Sequence, residues 1–176
     1  SLAYWDMLEG TIAETEFADW QVLAGWVHGP GVIHSGNAVS TPADLAGQTV
    51  RGPTQVINDL LSELGATPVG MPVPAVPEAL SKGVISGTVI PWEVTASLKL
   101  SELVSNHTEL AGDAALYAAT FVRAMNKARF EAMPADLQDI LMAESGAKLS
   151  QMAADVMLAA DAPARQIAVD AGNTII

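Results

Sequence analysis

The feature that most limits what this chain can fold into is an alternation of short apolar strands and helices, joined by tight loops, across residues 48–91. Gln48-Thr49-Val50-Arg51 reads as a strand. Thr54 to Leu64 reads as a helix, with Val56, Leu60, Leu61 and Leu64 on one side and a stop at Gly65. Thr67-Pro68-Val69 is a second strand, Pro74 to Lys82 a second helix ending at Gly83, and Thr88-Val89-Ile90 a third strand closed by Pro91. Strands connected through helices with such short loops lie parallel, with right-handed crossovers, which predicts an α/β protein. Open α/β sheets bind ligands at the carboxyl ends of their strands. In this chain those ends carry Arg51, the segment Met71 to Val73, and the segment Ile90 to Glu93.

Arg51 stands out electrostatically as well as by position. It is the only cation in the first 81 residues, a stretch that holds nine carboxylates. A guanidinium suits anion capture because its planar fork donates two parallel hydrogen bonds to a carboxylate and stays charged at any relevant pH. The alternative is an ordinary ion pair to a nearby acid. The chain as a whole carries a net charge of −12, which disfavours nucleic acid and anionic membrane surfaces, since eight scattered Lys and Arg cannot build a basic patch. A small anion held by one local cation is still compatible with that field.

With 176 residues, half of them hydrophobic, the chain can bury a sizeable core as one domain or two small lobes. The lack of cysteine excludes disulfides, thiol catalysis and cysteine metal sites. No run reaches the roughly 18 apolar residues of a membrane span, so no direct membrane insertion is expected. A signal peptide is either missing or already removed.

Outside the central alternation, Leu2, Trp5, Leu8, Ile12 and Phe17 suggest an amphipathic helix of about 15 to 18 residues. Gln21 to Val27 is a buried-strand candidate ending at Gly29-Pro30-Gly31, and Val32-Ile33-His34 a second. Thr41-Pro42-Ala43-Asp44 is a helix start with Thr41 as N-cap. Ala114 to Arg123 reads as a long apolar strand and Asn126 to Glu131 as a short helix. Pro134 opens a helix expected to run through Asp161, with a kink or restart at Pro163.

Several segments together resemble the solute-binding proteins of tripartite ATP-independent periplasmic (TRAP) transporters, the DctP type. Asp44-Leu45-Ala46-Gly47 followed by Val50-Arg51-Gly52-Pro53 is similar to the family's "DLKG…RVP" segment. Leu64 to Val69 followed by Met71-Pro72 resembles "LGA-P-P-MP", and Glu78-Ala79-Leu80 with Gly83 to Gly87 resembles "ALQTGVVDG". Met125-Asn126-Lys127 and Met133 to Gln138 match the "MNK…LP-DLQ" stretch. The resemblance implies a periplasmic, two-lobed α/β receptor of the periplasmic-binding-protein type, class II-like, with a long C-terminal scaffold helix. Such a receptor binds a small organic acid and delivers it to the membrane subunits of a TRAP permease, with no cofactor and no metal. It also implies that Arg51, matching the arginine of "RVP", pairs with the ligand carboxylate.

The chain departs from the family where Gly29-Pro30-Gly31 replaces a polar loop, where Ile90 replaces an asparagine before Pro91, and where Val73 stands for a frequent Phe. These changes suggest a monocarboxylate ligand with an apolar or aromatic body. The expected ligand-binding set is Arg51, Thr54, Val73, Ile90, Trp92, Glu93 and His28. Trp92 is either a pocket wall or a core tryptophan, and Glu93 either a ligand acceptor or a solvated carboxylate at a helix start. His28 and Trp26 either line the cleft or serve as structural groups.

Catalytic motifs are missing: there is no G-x-S-x-G, H-E-x-x-H, phosphate loop or G-x-G-x-x-G, and the three histidines at 28, 34 and 107 lack metal spacing. The chain therefore reads as a non-enzyme. A ligand-sensing interaction domain, or a lyase or hydrolase with Arg51 as substrate anchor and His28 as base, are the alternatives. Against the family pattern, most of a first lobe is expected to be missing, as in a fragment or a chain completed by a partner. Residues 1–43 would be the remnant of that lobe and a hinge strand, 44–112 the second lobe, 113–133 a return strand and short helix, and 134–176 the long helix. Self-association through Leu2, Trp5, Leu8, Val22 and Leu23 is expected, or fast amide exchange there.

Overall fold

The computed structural model describes residues 1–112 and 114–176; Asp113, where the expected return segment starts, lies outside the described residues. The chain forms two compact units, one of Ser1–His28 with Ala119–Ala159, the other of Gly29–Ala118 with Ala160–Ile176. The strand of residues 31–35 and the loop up to Ala43 therefore group with the second unit.

In the first unit, β1 (Trp20–Val27) pairs antiparallel with β7 (Thr120–Asn126). The expected N-terminal helix is shorter than its apolar spacing suggests. Helix α1 (Leu2–Met7) passes into a π-helical turn over Leu8–Ile12. The Thr11 hydroxyl donates to the Met7 carbonyl at 2.6 Å and Thr15 to the carbonyls of Thr11 and Ile12. Hydroxyls that bond back onto the preceding turn compete with regular helix geometry, which accounts for the early end. Trp5, Leu8 and Val22 form a buried cluster that Ile12, Phe17 and Val122 help to close. Of the five residues expected to be adhesive, only Leu2 stays exposed: this packing covers Trp5, Leu8 and Val22, and Leu23 is buried as well.

The C-terminal helical region also differs from its expected form. It consists of α5 (Lys127–Glu131), α6 (Ala135–Ala143) and α7 (Gly146–Asp170). The break falls at Gly146, whose φ of +70° an L side chain adopts only with strain. Pro163, the expected breaker, lies inside α7. It removes one backbone bond on an exposed side of the helix, where water can satisfy the freed carbonyl.

The second unit is built on a six-stranded sheet in the order β4-β3-β5-β2-β6-β8. Its strands are β2 (Gly31–Ser35), β3 (Thr49–Gly52), β4 (Thr67–Gly70), β5 (Gly87–Pro91), β6 (Asn106–Thr108) and β8 (Thr174–Ile175). As the alternation predicts, β3 runs parallel to both β4 and β5, with α2 (Gln55–Glu63) and α3 (Val76–Ser81) as crossovers. Strand β2 is antiparallel to both β5 and β6. Helix α4 (Trp92–Ser97) starts directly after β5. One core cluster joins Val76, Ala79, Ile85, Ile90, Leu100 and Val104, and another joins Val32, Trp92, Ala164 and Ala168.

The expected strand from Ala114 to Arg123 is a strand only from Thr120 onward. Residues 114–119 are rich in alanine, a poor strand former, and their backbone makes individual bonds instead. Gly31 N–H donates to the Tyr117 carbonyl at 2.9 Å, and Ala119 N–H donates to His28 Nε2 at 3.1 Å.

Candidate functional site

Strand β3 carries Arg51 near its carboxyl end, between Val69 of β4 and Thr88 of β5. The residue is 3% exposed, and no described carboxylate lies within ion-pair distance of it. Its Nε donates to the Met71 carbonyl at 3.0 Å and its Nη1 makes a long contact of 3.5 Å to the Val89 carbonyl. Burial lowers the pKa of the guanidinium, while nearby Tyr117 acts in the opposite sense. The side chain stays charged all the same. A buried cation that meets only neutral oxygens retains strong attraction for an anion.

Tyr117 stands beside it. Its hydroxyl donates to the same Val89 carbonyl at 3.3 Å. Burial raises its pKa, Glu93 adds to the rise and Arg51 opposes it, so the phenol stays protonated. Two glycines make this arrangement sterically possible. A Cβ on Gly31 would meet the Tyr117 ring at 1.9 Å, and one on Gly29 would meet the Asp161 carboxylate at 2.0 Å. The Gly29-Pro30-Gly31 loop thus admits two polar side chains from distant parts of the chain. Asp161 Oδ1 accepts the Glu93 N–H at 2.9 Å, at the start of α4. Burial raises the Glu93 pKa, and the charge of Asp161 raises it further.

The other expected site residues fall in varied settings. Thr54 is exposed and caps α2, its hydroxyl accepting from Ile57 N–H at 3.4 Å. Val73, itself half-buried, opens an otherwise exposed 3-10 turn, Val73–Ala75. Ile90 places its side chain in the core at 2% exposure, and its carbonyl accepts from His34 Nε2 at 3.1 Å. Trp92 is 5% exposed and donates its indole N–H to Glu109 Oε1 at 2.8 Å, and it borders a recess of about 190 Å³. His28 belongs to the first unit, where its ring tilts against Phe121 at 5.7 Å. In the same unit Trp26 stacks on Phe121 at 5.6 Å.

The structure therefore joins Arg51 to Tyr117, and it sets Glu93 beside Asp161. Sequence reasoning missed Tyr117 and Asp161. A lone tyrosine in an alanine run signals nothing by itself; the only hint lay in the paired glycines at 29 and 31. An apolar recess of about 480 Å³ elsewhere in the second unit, lined by Ile33, Val39, Leu45 and Leu64 among others, holds no cation among its lining residues and so suits a carboxylate poorly. No group of three metal-ligating side chains occurs among the described residues.

Comparison with known proteins follows the same direction. The family described as bacterial extracellular solute-binding protein, family 7 (DctP), matches residues 3–176. A solute-binding protein from Albidiferax ferrireducens is 26% identical over 157 residues, covering 88% of this chain and 46% of that protein. A TRAP solute-binding protein from Rhodoferax ferrireducens T118, solved with copurified benzoate, is 49% identical and superposes with a TM-score of 0.94, over 99% of this chain and 55% of its own. A marine-metagenome TRAP solute-binding protein specific for aromatic acid ligands, solved with 3-hydroxybenzoate, is 44% identical with a TM-score of 0.93, again over 99% of this chain and 55% of its own. The chain spans about half the length of these relatives. Their α/β fold is the one the strand–helix alternation predicts, and their family is one of transport receptors, not of enzymes. By sequence and by fold together, the chain belongs to family 7 of the bacterial extracellular solute-binding proteins, the DctP family.

Proposed function

We propose that this chain forms part of a periplasmic receptor that captures a small aromatic monocarboxylate and delivers it to a TRAP-type membrane permease. The observation that carries the reading is Arg51, a buried guanidinium whose hydrogen-bond partners among the described residues are carbonyl oxygens. A ligand carboxylate would complete its fork and neutralise its charge. The Tyr117 phenol, protonated and beside it, is placed to donate to the same carboxylate when it releases the Val89 carbonyl. Glu93, near enough to influence Tyr117, would accept a ligand hydroxyl. Val73, Trp92 and Thr54 complete the proposed set as apolar, aromatic or polar wall positions. The benzoate and 3-hydroxybenzoate held by the two similar receptors support the aromatic class.

Calorimetry with benzoate, 3-hydroxybenzoate and a hydroxylated sugar acid tests this. The aromatic acids should bind and the sugar acid should not. Arg51→Ala should weaken binding by about 2 kcal/mol or more, because a charge-assisted pair is lost. Unchanged affinity in Arg51→Ala would remove Arg51 as the anchor, and binding of sugar acids alone would remove the aromatic class.

A further inference from the structure

A second buried polar cluster lies in the sheet, apart from the contacts that Arg51 makes. Arg51, Thr88, His34 and His107 occupy one register row across β3, β5, β2 and β6, so they share a face of the sheet. Thr88, His34 and His107 are fully buried. The two histidines face each other through Nδ1 atoms 2.7 Å apart. Trp92 closes over both, with ring centroids 5.0 Å from His34 and 4.9 Å from His107.

The hydrogen bonds fix the tautomers. A carbonyl only accepts, so the bond between His34 Nε2 and the Ile90 carbonyl places the proton of neutral His34 on Nε2. His34 Nδ1 is then an acceptor, and His107 Nδ1 must carry the proton between them. That leaves the lone pair on His107 Nε2, a buried atom without a hydrogen-bond partner among the described residues. Both nitrogens of His34 are engaged. His107 Nε2 is the one imidazole position of the pair open to a proton.

We propose that the His34–His107 pair is a proton-operated latch on the Ile90–Glu93 segment, with His107 Nε2 as the atom that takes up the proton. While His107 is neutral, His34 holds the Ile90 carbonyl, and Glu109 holds the Trp92 indole together with the Arg165 guanidinium, at 2.9 and 3.2 Å. A proton from solvent adds to the Nε2 lone pair and nothing leaves, so an imidazolium forms under the Trp92 ring. Glu109, two residues along the chain, is the carboxylate that favours this charge. Turning toward it costs Glu109 its bond to Trp92. Arg51, across Thr88 in the same row, and Arg165, on Glu109, oppose the new charge by their sign. Glu93 and Asp161 are tied to each other through the Glu93 N–H at the start of α4. His107 is the titrating residue; its Nδ1–H stays on His34 Nδ1 in either state, so His34 is a positioning residue and the change reaches the segment through Glu109 and Trp92. The consequence is acid-triggered loosening of the segment that leads into Glu93.

As a regulatory device for the proposed ligand site this rests on the reading above, but the latch itself is tested without ligand. Nitrogen-15 NMR of the intact chain at neutral pH should show His34 as the Nε2–H tautomer and His107 as the Nδ1–H tautomer. As the pH is lowered, the Trp92 indole N–H signal, assigned with Trp92→Phe, should shift together with the His107 ring. His107→Asn keeps a donor toward His34 and has nothing in place of Nε2. It should preserve the neutral spectrum of Trp92 and move its acid transition down by about one pH unit or more. An Nε2–H tautomer at His107, or an unchanged Trp92 transition in His107→Asn, overturns the proposal. If that variant does not fold, the tautomers of the unmodified chain decide alone. Benzoate affinity should fall across the same pH range. No benzoate binding at any pH would refute the ligand reading and leave the latch standing on its own spectra.

Discussion

Burying the Arg51 charge against two carbonyl oxygens leaves much of the cost of removing it from water uncompensated. Binding and stability should therefore move in opposite directions at this position. Arg51→Met, similar in length and uncharged, should abolish carboxylate binding yet keep or raise the melting temperature of the ligand-free chain. Paired thermal melts and calorimetry check it, and a melting temperature several degrees lower would show that the guanidinium is mainly structural. Sequence alone made Arg51 visible, because it is the only cation in a long acidic stretch. Tyr117 was invisible, since its significance depends on Gly31, which lies 86 positions away in the chain and receives its ring.

Elements were legible where the local signals agreed and obscure where two signals competed. The central alternation followed from helix stops at Gly65 and Gly83, both of which the structure contains; outside it, the helix start at Thr41 is the N-cap of a 3-10 turn, Pro42–Leu45. The C-terminal helices were misjudged because proline outweighs glycine as a breaker on propensity, whereas Gly146 needs a left-handed backbone and Pro163 sits where its missing N–H does little harm. Gly146→Ala should destabilise the chain by about 1–2 kcal/mol, the cost of a left-handed L residue. Pro163→Ala should be neutral or stabilising. Urea denaturation of the two variants reads both signs, and the reverse ranking would restore Pro163 as the true breakpoint. The antiparallel position of β2 had no local signal at all, since strand order is decided by pairing over long sequence distances.

For the whole molecule, the buried histidines make stability depend on pH. Burial holds His34 at about 3, helped by the neighbouring His107, and burial holds His107 at about 4 although Glu109 pulls it upward. Both lie below the ordinary histidine value, so under acid the unfolded chain binds more protons than the folded one. Stability is full above about pH 6.5 and falls as the pH drops from there toward 4, by up to roughly 1.4 kcal/mol per pH unit for each histidine. Glu93, raised by burial and by Asp161, opposes the trend over a narrower range near the carboxylate values. Urea midpoints measured from pH 8 to pH 5 should decline only below 6.5, and a flat profile would place both histidines outside the folded core.

The placement of β2 also bears on how the protein is made. This strand, buried at every residue, lies between β5 and β6, both of which follow it by 50 residues or more. During synthesis it leaves the ribosome long before either neighbour exists, with two open edges and an uninterrupted Gly31-Val32-Ile33-His34-Ser35 run. A nascent chain halted before residue 87 would have neither partner to offer it. Within the six-stranded sheet β2 is the first strand made, and it can pair only once β5 and then β6 have followed it.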